Sequence, residues 1–261
     1  MNGESRALTT GSVVKGMLLF AVPIFMSNLF QQLYNAVDSL IVGNFIGGEA
    51  LAAVGSSGSL IFLLTGFVNG VSLGAGVLIA RHFGAGDDAA LHRTVHTTIA
   101  LGLAAGAVLT VVGVAFTPQI LRWMGTPDNV IGNSILYFRI YFMGSIAVVL
   151  YNVGASILQS VGDSRSPMFY LIAASLLNVV LDLVFIAGFG MGVGSAAFAT
   201  ILSQALSAFL AFRKLGRARG AWAVRWRDVR FDLPTLRAVV AQGVPSGVQN
   251  SVISLANVVV Q

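Results

Sequence analysis

The chain reads as long apolar runs separated by short polar breaks. A membrane span takes about 20 apolar residues. Six runs reach that length: Gly16–Gly43, Leu51–Ala80, Val95–Phe116, Asn129–Leu158, Pro167–Ala187 and Gly192–Phe212. A seventh begins near Pro234 and is still apolar at Gln261. The pattern predicts an all-α, polytopic helical membrane protein, with a six-helix transmembrane bundle followed by a truncated seventh helix. The first run is too long for a secretory signal peptide and lacks a small-residue cleavage pattern, so it reads as the first span.

Composition agrees with that reading. The 261 residues are 56% hydrophobic and 10% charged, against about 25% charged in a soluble domain. The net charge of +5 does not indicate nucleic acid, because the cations are spread over loops with no basic face. They follow a sidedness rule instead. Arg6, Lys15, Arg81, Arg93, Arg165 and the stretch from Arg213 to Arg237 put thirteen cations on one set of loops. The other set holds Arg122 and Arg139. The expectation is a multi-pass plasma-membrane protein with its N-terminus in the cytoplasm. The basic stretch 214–233 then links two units, residues 1–213 and 234–261. Its cations satisfy the sidedness rule without further purpose, though with Trp222 and Trp226 they also suit anionic lipid. There are no cysteines, which removes disulfides, thiol catalysis and thiolate metal sites.

Polar residues inside the apolar runs carry the candidate chemistry. Asp38 is the one charge between Lys15 and Glu49, and Asp182 the one charge between Arg165 and Arg213. A carboxylate at the centre of a span costs about 2.5–3.5 kcal/mol even on lenient scales, so such residues usually serve ion or proton pathways. Asn28, Gln31, Asn35 and Asp38 recur in steps of three and four and share one helix face, with Gln32 and Tyr34 beside it. Asn and Gln also hydrogen-bond across membrane helices as simple glue. Pro23 lies fifteen residues before Asp38 and removes a helix hydrogen bond, making it a candidate hinge. Asn178 and Asp182 are one turn apart, with Ser175 a turn earlier. If the two acids meet across the bundle, both cannot ionise cheaply, and a shared proton or a bound Na⁺ relieves this. Thr200 is a candidate fourth oxygen, or a hydroxyl satisfied by its own helix.

Other patterns say less. His92 and His96 have a metal-ligand spacing, but the sequence places no further ligand near them, and no metal site is expected. Gly188, Gly190, Gly192 and Gly194 form no phosphate loop. Gly66, Gly70 and Gly74 fit close helix packing. No nucleophile–base pair is present, so no enzyme is expected. A faint repeat aligns Val22–Ser39 with Val244–Gln261 at six of eighteen positions, among them Pro23/Pro245 and Asn28/Asn250. Six spans between the two copies make the repeat parallel, so the seventh run opens a second lobe. Val260 then stands opposite Asp38, leaving the acid to the first lobe.

The run Gln32-Leu33-Tyr34-Asn35-Ala36-Val37-Asp38, with Gly43 and Ala52-Ala53-Val54-Gly55, resembles the multidrug and toxic compound extrusion (MATE) family. So do Arg81 with Gly84-Ala85-Gly86-Asp87, Gly162-Asp163-Ser164-Arg165-Ser166-Pro167, and the pair Asn178 and Asp182. The resemblance implies one lobe of a twelve-helix transporter that exchanges H⁺ or Na⁺ for drugs or metabolites. It carries cation binding over to Asp38, Asp182, Asn178 and Thr200, and helix bending to Pro23. Gln31, Tyr34, Asn35 and Asn152 are expected to line the cavity. No cofactor is expected beyond the coupling ion. The expected partners are a cationic or amphipathic small molecule, membrane lipid and the missing second lobe. A lipid-linked saccharide flippase of the same superfamily and a non-transporting membrane module are the alternatives.

Overall fold

The computed structural model describes residues 13–260, and every regular element among them is helical. Helices α1 (Val13–Phe45), α2 (Gly48–Ala85), α3 (Asp88–Trp123), α4 (Asp128–Met143) and α5 (Ser145–Ser160) come first. Then follow α6 (Arg165–Asp182), which runs on as a π-helical turn over Leu183–Gly188, α7 (Gly194–Arg217) and α8 (Leu233–Val260). Residues 1–12, with Arg6, and Gln261 lie outside the described residues. So do the side chains of 253–260, with Leu255, Asn257, Val259 and Val260 of the repeat.

The chain is a helical, multi-pass membrane protein, but six clean spans do not emerge. Among the described residues, Gly16–Phe45, Asp88–Trp123, Arg165–Gly188 and Gly194–Arg217 are long and apolar enough to cross a membrane alone. Residues 56–60 and 62–65 of α2 fall outside that count. The run Asn129–Leu158, expected as one span, is two helices of 16 residues each, bent by 48°. Each is about 24 Å long at 1.5 Å per residue, short of a hydrocarbon core of about 30 Å. They cross only as a pair. The bend falls at Gly144, where any Cβ would run into the Ile201 side chain. Ser145 Oγ donates to the Phe142 carbonyl at 2.7 Å and satisfies a group at the break.

Two connections at the same end of the bundle use one device. Gly86 leaves α2 in the left-handed conformation (φ 69°), and the next residue, Asp87, caps α3 by accepting from the Ala90 N–H at 2.9 Å. Gly162 (φ 91°) likewise precedes Asp163, which accepts from the Ser166 N–H at 3.0 Å at the start of α6. Asp163 also pairs with Lys214 in the last turn of α7. The motifs at 84–87 and 162–167 are therefore explained by turn and cap geometry.

Among the described residues the two larger of three apolar clusters hold the bundle. One joins Ile79, Leu91, Val95, Ile99, Val153, Ile157, Leu158 and Leu215, near the end where α2 finishes and α3 begins. The other gathers Ile41, Val42, Ala50, Tyr137, Ile186, Val193 and Ala196 around the end of α1. Helix α8 packs chiefly on α2. There Gly70 faces the backbone of Gly247, and Gly74 faces that of Gly243. Four glycines in two facing pairs let the helix backbones touch, as small residues do in membrane packing.

Candidate functional site

Asp38 sits two turns before the end of α1, and Asp182 closes α6 where the helix widens into its π turn. Such turns often accompany functional sites because the extra residue re-aims the side chains around it. Both acids are inside the bundle: Asp182 is 0% and Asp38 6% exposed. α1 packs mainly on α6, and this contact brings the two carboxyl groups within hydrogen-bonding reach of each other. A carboxylate has no proton to donate. Direct contact between two such groups requires a proton between them or a cation that both ligate.

Asn178, one turn before Asp182, is 1% exposed, and Thr200 on α7 is 7% exposed. In one amide orientation Asn178 Nδ2 lies 3.5 Å from Thr200 Oγ1. Turned over, it donates to Asp182 Oδ2 at 3.3 Å and accepts from the Thr200 backbone N–H at 3.3 Å. The second orientation gives both ends of the amide a partner. Thr200 Oγ1 also donates to the Ala196 carbonyl at 3.0 Å, leaving its lone pairs open. The structure thus brings Asp38, Asp182, Asn178 and Thr200 to one locus.

Buried polar oxygens normally have partners. Here Oδ1 of Asp38, Oδ1 of Asp182, Oγ of Ser203 and Oε1 of Gln204 are buried without one. A cavity of about 10 Å³ adjoins the Asn178–Thr200 side of the locus, bordered also by Tyr34, Ser175, Ser203 and Gln204, with the two acids set behind its lining. That is room for about one water-sized guest, whereas drug-sized ligands occupy about 300–1,000 Å³. The locus suits a small cation or a proton, with hard oxygen donors around it.

The remaining cavity candidates divide. Tyr34 borders the cavity, with Gln31 and Gln204 near its hydroxyl. Asn35 pairs with Gln32 at 3.4 Å in an exposed position, and Asn28 is exposed. Asn152 donates to the Val148 carbonyl of its own helix at 2.8 Å. Pro23 is buried within an unbroken α1, and Ser27 Oγ donates to its carbonyl at 2.8 Å. Spacing along the chain does not single out Ser203, Gln204 or Tyr137, whose ring lies within electrostatic reach of both acids. The available signal is that Ser203 and Gln204 follow Thr200 by three and four residues and so share its face.

A bundle of apolar helices that encloses a pair of acids is an arrangement typical of membrane ion and proton pathways. Residues 23–184 match the MatE family model, and the chain belongs to that family. It is 36% identical over 258 residues to the probable multidrug resistance protein YoeA of Bacillus subtilis strain 168, covering 95% of this chain and 55% of that protein. It is also similar to a MATE multidrug resistance transporter solved facing outward, with a TM-score of 0.89 and 28% identity over 98% of this chain and 56% of that one. The inward-facing form of a MATE transporter gives a TM-score of 0.80 at 28% identity over 91% and 55%. The chain spans about half the length of the curated relatives it matches.

Proposed function

We propose that residues 1–213 form the first lobe of a two-lobe, twelve-helix antiporter of the plasma membrane, with a cytoplasmic N-terminus. Residues 214–233 link this lobe to the second, which begins at 234–261. The transporter exports a cationic or amphipathic small molecule in exchange for H⁺ or Na⁺. The observation that carries this reading is the contact of Asp38 with Asp182, both enclosed, each with an oxygen lacking a protein partner.

Asp38 and Asp182 ligate the coupling ion, the Asn178 amide holds Asp182 in place, and Thr200 supplies a further oxygen. Ser203 and Gln204 add two more donors within the same wall. The cavity is too small for a drug, so the substrate lies between the lobes. Ion binding neutralises the acid pair and substrate binding does not, so the two ligands favour opposite conformations. A ligand shifts such an equilibrium only through its differential affinity, and reversing a 1:99 population takes about 10⁴-fold. The membrane potential adds about 2.3 kcal/mol per charge per 100 mV. Pro23 is about 22 Å from Asp38 along α1 at 1.5 Å per residue and serves as the hinge through which α1 follows the ion.

Infrared difference spectroscopy tests the site without requiring transport. A protonated-carboxyl band, or a Na⁺-dependent carboxylate change, is expected in the wild type and absent in both Asp38→Asn and Asp182→Asn. Spectra unaffected by both substitutions refute the assignment.

A further inference from the structure

The segment between α7 and α8 is docked against the start of α3. The Val224 side chain is buried in the α3–α5–α7 cluster, and its N–H donates to the Leu215 carbonyl at 3.1 Å. Trp226 stacks on Phe212 with ring centroids 5.3 Å apart. Further on, Thr97 Oγ1 donates to the Arg230 carbonyl at 3.4 Å and accepts from the Asp232 N–H at 3.3 Å. Between these anchors a short 3-10 turn, Trp226–Asp228, carries Asp228 over the first turns of α3.

That docking adds a ligand which the sequence does not place near His92 and His96. Asp228 Oδ2 lies 3.3 Å from His92 Nε2. One donor atom from each of His92, His96 and Asp228 falls within 4.8 Å of the others. A tetrahedral shell with bonds of 2.0–2.1 Å spaces its donors about 3.3 Å apart. One edge already has that length, and the others need to close by a modest side-chain movement.

The tautomer of His96 is set by its neighbours. The His92 carbonyl, 2.8 Å from Nδ1, can only accept, so Nδ1 carries the proton. The Arg225 N–H, 3.1 Å from Nε2, can only donate, so Nε2 presents a lone pair. A ring N–H held by a carbonyl, with the other nitrogen free to ligate, is the usual outer-shell arrangement of metal-binding histidines. In this structure the Arg225 amide takes that lone pair. A metal ion would displace it, and Arg225, in the exposed part of the segment, can turn its amide to water.

We propose that His92, His96 and Asp228 form a site for a divalent first-row transition metal of the Zn²⁺ type, with the fourth position left to water. Two imidazoles and one carboxylate suit zinc and its neighbours rather than Mg²⁺ or Ca²⁺. Occupancy pins the connecting segment to α3. The site is separate from the acid pair and does not depend on the transport reading.

The full chain is purified on a histidine-free affinity tag, stripped with EDTA, and titrated with ZnSO₄ by calorimetry and with CoCl₂ by visible absorption. The expected result is one Zn²⁺ per chain and a tetrahedral Co²⁺ spectrum. Binding should weaken at least about tenfold in both His92→Gln and Asp228→Asn. His82→Gln, on the last turn of α2, should bind as wild type. His92 and Asp228 are both accessible, so these substitutions spare the buried His96, and unchanged helicity by circular dichroism verifies folding. No Zn²⁺ binding by the wild type, or wild-type affinity in both ligand variants, overturns the proposal.

Discussion

The carboxyl of Asp38, from the last third of α1, meets the carboxyl of Asp182, from the final turn of α6, inside the bundle. Asn178 ties this pair to α7, through Asp182 Oδ2 and the Thr200 backbone, both at 3.3 Å. Replacing it with an apolar residue leaves a buried acceptor bare, which costs about 1–3 kcal/mol. Asn178→Leu is expected to lower stability by that amount in thermal or denaturant unfolding in detergent, with helicity retained. A loss below a few tenths of a kcal/mol means the amide does not hold Asp182.

The glycine pairs between α2 and α8 set how closely those helices approach. A Cβ at Gly74 falls on the Gly243 backbone, which cannot rotate away as a side chain can. Gly74→Leu should cost about 1–3 kcal/mol by overpacking, or separate the helices. Limited proteolysis of the 218–232 segment reads out the second outcome as faster cleavage. Gly84→Ala meets no neighbour and serves as the control.

Asp163 has two roles with different magnitudes. As the cap of α6 it is worth about 1 kcal/mol. Its pairing with Lys214 is partly exposed, with side chains 19% and 40% accessible, and is worth about 0–1 kcal/mol. Asp163→Ala should therefore destabilise more than Lys214→Ala. A double-mutant cycle gives the coupling, and equal single effects contradict the capping role.

Asp232 caps the start of α8. Hydrogen bonds from the Thr235 hydroxyl and the Thr235 N–H, the latter at 3.1 Å, hold its carboxyl below the usual carboxylate range. A depressed value in the folded state means that the stabilisation is present above the unfolded value, about 3.9, and is lost as pH falls through the lowered one. The protection factor of the Thr235 amide in hydrogen exchange is expected to stay constant from neutral pH to about 4. It should fall only in stronger acid, and Asp232→Ala should remove it at every pH.

Much of this site was legible along the chain, and the reasons are physical. A single charge in an apolar run is conspicuous, so Asp38 and Asp182 stand out, and one-turn spacing adds Asn178. Ser203 and Gln204 do not stand out, because α7 is rich in small and polar residues that read equally well as helix glue. Only the rotation of α7 against α6 selects them. The bend at Gly144 is hidden because glycine is common in membrane helices; what demands a glycine at that position is the approach of the Ile201 side chain from another helix. Asp228 meets His92 through a fold-level contact that spacing does not encode. Asn28 and Asn35 share a predicted stripe with Asp38, but the contact with α6 does not enclose the whole stripe. Both stay outside the enclosed locus.

The most direct test of ion coupling at the acid pair uses the complete two-lobe protein in proteoliposomes. Efflux of a cationic dye is followed under a pH gradient and then under a Na⁺ gradient, for wild type, Asp38→Asn and Asp182→Asn. The prediction is that one gradient drives wild-type efflux and that either substitution abolishes it. Gradient-driven efflux at the wild-type rate in both variants would contradict coupling at Asp38 and Asp182.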